Sequence, residues 1–177
     1  MPVIADVSPK MNASFHESPT DPERSRLIDV VTQEAAAYLS VDPVRDIPAH
    51  IVEIINEVIV KIVLEEPQPI PESEEQDLVL GSLWGSQMVR EFGWSWVDFH
   101  VDGILDVAVV SPTRDMAIFP FTFIADCLAK RCVCTVALSF NMLLQRKGEI
   151  IFEPNSYDSV MTRIRHIVPP YTLEPRG

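Results

Sequence analysis

The chain has 177 residues, 47% hydrophobic and 23% charged, a composition that suits one folded domain and excludes global disorder. Its formal net charge of -12 argues against nucleic acid and anionic membrane as partners, because phosphate surfaces select for Lys and Arg, and it favours a basic protein instead. No apolar run approaches the roughly 18 residues that span a bilayer. The start carries no secretory leader pattern and the three cysteines are an odd set, so a reduced cytoplasmic location is expected.

Residues 1–20 are polar, proline-bearing and without periodicity, and read as a flexible arm before a single domain over residues 21–177. Asp21, Pro22 and Glu23 form a helix start: an acceptor for orphan amides, a preset φ, and a carboxylate near the positive end of the dipole. Leu27, Val31, Ala35 and Tyr38 give that helix its inward stripe. A second helix is predicted over residues 48–65, with Glu53, Glu57 and Lys61 as its one polar stripe and Ile and Val elsewhere, so it is buried or lies at an interface.

Residues 65–77 shift sharply to proline and acid and read as a linker within the domain, with a partner-binding segment as the alternative. A third helix follows over residues 77–92, with Leu78, Val79, Leu83, Val89 and Phe92 as apolar members and Gly93 as its left-handed stop. Residues 94–100 alternate with period two, and Asp102-Gly103 is the strongest short hairpin signal, leading into a second strand over residues 104–110. A third strand is expected at residues 116–119, and Pro120 breaks the ladder. A short helix over residues 122–130 comes next, then helical spacing of Val133, Val136, Phe140, Leu143 and Leu144 up to Gln145, with Gly148 beyond. Residues 149–152 suggest a strand, and Asn155 with Asp158 resembles a capping box for a last helix whose face is Tyr157, Val160, Met161 and Ile164. The fold class is therefore α+β: N-terminal helices, a central three-stranded antiparallel meander, and C-terminal helices packed on the sheet.

Residues 80–99 hold all three tryptophans and half of the six glycines, and the binding candidates are drawn from them: Trp84, Trp94, Trp96, Gly81 and Gly85. Each glycine costs a helix about 1 kcal/mol, so removing Cβ must gain something. The gain is close approach of another backbone, or else room for a ligand or a partner's side chain. In the hairpin register set by Asp102-Gly103, Trp94, Trp96, Asp98 and His100 share one face, while Ser95, Val97, Phe99 and Val101 share the other. Both faces are apolar enough to need covering, by helices or by a second copy of the chain.

Asp98 and His100 are the one catalytic pair worth naming, since a carboxylate beside tryptophan can orient or charge a histidine. A solvated strand end explains them as well, and no third member is visible. GSLWGS lacks the lysine and spacing of a phosphate loop, so no cofactor is implied. Cys132 and Cys134 would sit about 200° apart on a helix, so buried thiols rather than a metal site are expected. Arg163, Arg165 and His166 make a basic patch too small for nucleic acid.

Residues 80–131 resemble a set of bacterial domains of unknown function. The matching positions are Leu80-Gly81, Gly85, Phe92-Gly93-Trp94, Trp96-Val97 and Phe119-Pro120 with Thr122 and Ile124. The resemblance implies an α+β fold and transfers no catalytic residue. Small acidic domains of this style are similar to immunity proteins that neutralise toxins. The functional expectation is thus a non-enzymatic protein-binding domain, an immunity or adaptor protein. The alternative is a small enzyme or ligand-binding domain with a pocket near Trp94, Trp96, Asp98 and His100.

Overall fold

The computed structural model describes residues 15–146 and 152–165. Residues 149–151 of the strand expected at 149–152, Gly148 and His166 lie outside these, and Phe152 is in a bend rather than a strand. The described chain is α+β, with six helices and a five-stranded mixed sheet in the order β1-β2-β3-β4-β5. In chain order the elements are β1 (Phe15–Pro19), α1 (Pro22–Leu39), α2 (Pro48–Val63), α3 (Gln76–Phe92), β2 (Ser95–Val101), β3 (Ile104–Val110), β4 (Met116–Ile118), α4 (Pro120–Leu128), α5 (Val136–Gln145), β5 (Asp158–Ser159) and α6 (Val160–Arg165).

The expected antiparallel meander is present as β2, β3 and β4, but the sheet extends past it at both edges. β1, drawn from the segment read as an arm, pairs antiparallel with β2, and its Glu17 is tied by Arg114 at 2.9 Å to the turn before β4. β5 pairs parallel with β4, at Met116 with Asp158 and Ala117 with Ser159. Of the expected C-terminal helices, α4 and α6 meet the sheet, whereas α5 packs on α2.

Asp21 caps α1 as its sequence predicts, accepting from the Glu23 and Arg24 amides. The inward face is rotated from the expected one: Ile28, Thr32, Ala35, Ala36 and Leu39 are buried, while Leu27 is 56% exposed. The reason is the neighbour. α1 lies along α3, where small Ala35 and Ala36 permit close approach and the Thr32 hydroxyl meets the Ser86 hydroxyl at 3.1 Å. α2 buries Ile51, Val52, Ile55, Val58 and Ile59, as its one-sided polarity predicts.

The acidic linker is more than a solvated connection. Ile70 is buried, and the Gln68 amide brackets it, donating to the Ile70 carbonyl and accepting from its amide, both at 2.7 Å. α3 is the axis of the molecule: Val79, Leu80, Leu83, Trp84 and Met88 are buried, and it packs against α1, α2, α4, β2 and β3.

Pro120 starts α4 rather than preceding it, because a ring with preset φ and no N–H suits the first helical position. Asn155 begins no helix; it takes a left-handed turn with φ 61°, and α6 starts at Val160, where the Ser159 hydroxyl accepts from the Thr162 amide at 3.3 Å.

The hairpin register is as read: His100 opposes Leu105, Asp98 opposes Val107 and Trp96 opposes Val109. Both sheet faces are covered within the chain. One joins the main core through Trp94, Val109 and Ile118. The other forms a second cluster of Val97, Phe99, Ala108, Val110 and Ala117, capped by rings: Phe99 contacts Phe15, Phe119 and Tyr157 at 5.3–5.5 Å between centroids.

Candidate functional site

The glycine helix explains most of the tryptophan stretch without a ligand. A Cβ on Gly81 would stand 2.6 Å from the Phe121 ring and 3.3 Å from the Phe121 amide, and one on Gly85 would stand 2.3 Å from the Trp96 ring. Phe121 and Trp96 stack on one another at 5.7 Å and 16°. Two glycines one turn apart thus open a groove for a stacked aromatic pair that this chain supplies. The approach is mainly by side chains, with the Phe121 backbone close at Gly81.

Trp84 is wholly buried against Phe123, and Trp94 is 5% exposed beside Phe92. Trp96 is half-buried, with one ring face taken by Phe121. The five binding candidates are spent on internal packing, which leaves little of them for a partner.

Asp98 and His100 do share a face, but the structure separates them chemically. The Asp98 carboxylate is buried and turns to α1, where Oδ2 accepts from Arg24 Nη1 at 2.5 Å and from the Asp21 amide at 3.3 Å. Its Oδ1 is buried with no hydrogen-bond partner among the described residues. His100 instead stacks on His16 of β1, 4.6 Å between centroids and 10° from parallel, and its Nε2 lies 3.5 Å from Ser18 Oγ. No hydrogen bond joins Asp98 to His100 among the described residues. Ser18 escaped the sequence reading because β1 was hidden in the arm, and Arg24 because no local pattern shows that the first turn of α1 meets Asp98 of β2.

A second constellation lies at the hairpin tip. An open cleft of about 450 Å3 is bounded by the β2–β3 tip, α4 and α6, and three of its lining residues are acidic: Asp102, Asp106 and Asp126. Asp106 is fixed from two sides, with Oδ1 accepting from the Val107 amide at 2.8 Å and Oδ2 from the Thr122 hydroxyl at 2.9 Å. Asp126 meets Arg131 at 3.1 Å just outside the lining. Val101, Ile104, Phe119, Phe123 and Met161 form apolar walls, and among the described residues no Lys, Arg or His lines the space.

The only sequence trace of this cleft is the spacing of Thr122 and Asp126, one helical turn apart on the same face as they approach Asp106. Of the basic patch, Arg163 pairs with Asp158 at 2.9 Å and lies over the Phe152 ring at 4.3 Å, while the Arg165 side chain and His166 lie outside the described residues.

Among the described residues no helix is long and apolar enough to cross a membrane, and no group of three or more His, Cys, Asp or Glu is arranged to hold a metal ion. Comparison with family models, curated proteins and solved structures gives no match.

Proposed function

We propose that this chain is a non-enzymatic protein-binding domain, of the immunity or adaptor kind, that receives a basic side chain of its partner in the cleft at the hairpin tip. The observation that carries the reading is the lining: three carboxylates on apolar walls, of which only Asp126 has a basic partner, Arg131, outside the lining, and no Lys, Arg or His among the described lining residues. Asp106 is already oriented by Thr122 and the Val107 amide, so it meets a guanidinium or ammonium without first losing freedom. Ile104, 72% exposed on the rim, adds the apolar contact that interface centres use. The net charge of -12 steers a cationic partner toward the molecule. Three free thiols support a reducing cytoplasmic setting for that reading.

The test compares the wild type with an Asp106→Asn/Asp126→Asn double variant, using calorimetric titration with an arginine-rich peptide and capture from the native cell extract. Saturable binding by the wild type, weaker by about tenfold or more in the double variant, is the expected result, since tenfold corresponds to about 1.4 kcal/mol, the scale of one charge-assisted contact. Equal binding by both proteins overturns the reading.

The enzymatic alternative is favoured by one observation, the Ser18 hydroxyl within 3.5 Å of His100 Nε2. Against it, Asp98, the carboxylate on the same face, is committed to Arg24 and makes no hydrogen bond to the imidazole among the described residues. A fluorophosphonate probe that labels the wild type and not Ser18→Ala would carry this alternative.

A further inference from the structure

The three cysteines do not lie along one helix. Cys127 is in the last turn of α4, and Cys132 and Cys134 lie in the connection before α5. What brings them together is the way α4 ends. Lys130 takes a left-handed conformation with φ 59°, its amide donates to the Cys127 carbonyl at 3.0 Å, and the Arg131 amide donates to the Asp126 carbonyl at 2.9 Å. These are the two bonds of a Schellman reversal, which folds the chain back over the last turn.

The Arg131–Asp126 ion pair at 3.1 Å ties the same reversal a second time, through side chains. The residue after it, Cys132, therefore returns to Cys127, with 3.5 Å between sulfurs. Cys134 donates its S–H to Asn56 Oδ1 of α2 at 3.2 Å, and it lies near enough to Cys127 for each thiol to shift the other's pKa. Cys127 is buried and the other two are partly exposed. One buried thiol thus touches Cys132 and lies near Cys134, both of which solvent reaches in part.

We propose that Cys127, Cys132 and Cys134 form a thiol–disulfide exchange site for a low-molecular-weight disulfide, in which Cys127 is a member of every internal bridge. Cys134 makes the first attack. It sits just ahead of α5, and its pKa is lowered, first by the Cys127 thiol that donates to its sulfur and also by the Val136 amide, against the opposing effect of burial. Cys134 gives up to water the proton it donates to Asn56 Oδ1, and its thiolate attacks one sulfur of R–S–S–R, forming Cys134–S–S–R and releasing R–S⁻, which takes a proton from water.

Cys127, whose thiol is held well above its usual pKa by its cysteine neighbours and by burial, attacks the Cys134 sulfur as its proton passes to the departing R–S⁻, which leaves as R–SH. Cys132, 3.5 Å from Cys127, can move the bridge by attacking the Cys127 sulfur and freeing Cys134. In the balance, two protein thiols are oxidised to one disulfide and one R–S–S–R is reduced to two R–SH.

The experiment treats the full chain with glutathione disulfide, blocks remaining thiols with iodoacetamide, and maps the unreduced peptides by mass spectrometry. Two of the three alkylatable thiols should be lost, with the bridge on Cys127. Cys127→Ser should form no internal bridge and accumulate a glutathione adduct on Cys134. Cys134→Ser, which leaves the buried thiol in place, should still form a Cys127–Cys132 bridge but more slowly. Three thiols that all remain alkylatable in the wild type, a bridge between Cys132 and Cys134, or bridges only between molecules would each overturn the proposal.

Discussion

A methyl group at position 85 would lie 2.3 Å from the Trp96 ring, and that ring is held in place by Phe121 and by Val109 beneath it. Gly85→Ala should gain about 1 kcal/mol of helix propensity and lose more through overpacking, which costs roughly 1–3 kcal/mol in a filled core. A net loss of about 1 kcal/mol, read as a lower urea midpoint with unchanged slope, is expected. A variant as stable as the wild type would mean that the ring has room to move.

Asp115 is a second single-residue test. It is buried, and burial opposes its charge, but the Ser111 and Thr113 hydroxyls donate to Oδ1 at 2.5 and 2.6 Å and leave its pKa lowered overall. A carboxyl with a depressed folded pKa stabilises the fold above its unfolded pKa, and that stability is lost as pH falls through the folded value. Asp115→Asn should therefore be less stable at neutral pH, by about 1–3 kcal/mol, and should lose less on acidification than the wild type. Denaturant midpoints at neutral and acid pH check both halves. An unchanged acid dependence in the variant would count against the assignment.

At the scale of elements, what could be read beforehand divides by the kind of signal. The hairpin was legible because Asp102 and Gly103, with φ 49° and 78°, supply the two left-handed positions that its tight turn requires, and this fixed the register of every residue on β2 and β3. α3 ended where Gly93 said it would. The ends of α2 and α4 were read to within two residues, but the left-handed turns that close α1, α2 and α4, at Ser40, Glu65 and Lys130, were hidden because these residues carry no such signature.

β1 was hidden for a different reason: its five residues show no clear alternation, end in Pro19, and gain their partner from β2, some eighty residues away. A left-handed non-glycine residue costs about 1–2 kcal/mol, and the extra freedom of glycine in the unfolded chain returns about 0.4–1 of that. Glu65→Gly, at a cap already closed by the Glu66 amide on the Lys61 carbonyl at 2.8 Å, should thus raise stability by about 0.5–1 kcal/mol. Differential scanning calorimetry would show a higher midpoint. A lower one would show that the Glu65 side chain matters more than its backbone.

For the whole molecule, helix packing around α3 and two aromatic-rich clusters on opposite sheet faces follow from composition and pattern, and the α+β class was readable from both. The cleft was not, because its walls come from the hairpin tip, α4 and α6, three elements whose juxtaposition no local pattern encodes. The excess of acid over base was visible from the outset, and its consequence belongs to the molecule as a whole. Association with a basic partner should slow as ionic strength rises and the Debye length falls from about 10 Å at 0.1 M to about 3 Å at 1 M. Stopped-flow association rates at increasing salt would show this, and a salt-independent rate would remove electrostatic steering from the account.

The Trp84, Trp94 and Trp96 side chains all report on one place, the junction that α3 makes with α4 and the sheet, and Trp84 reports from a site where its indole N–H meets no acceptor among the described residues. Intrinsic fluorescence of this protein is therefore a local gauge: excitation of tryptophan follows the opening of that junction and not of the α1 surface or the thiol-bearing connection. An emission spectrum unaltered by oxidant or peptide would say only that the junction had stayed shut.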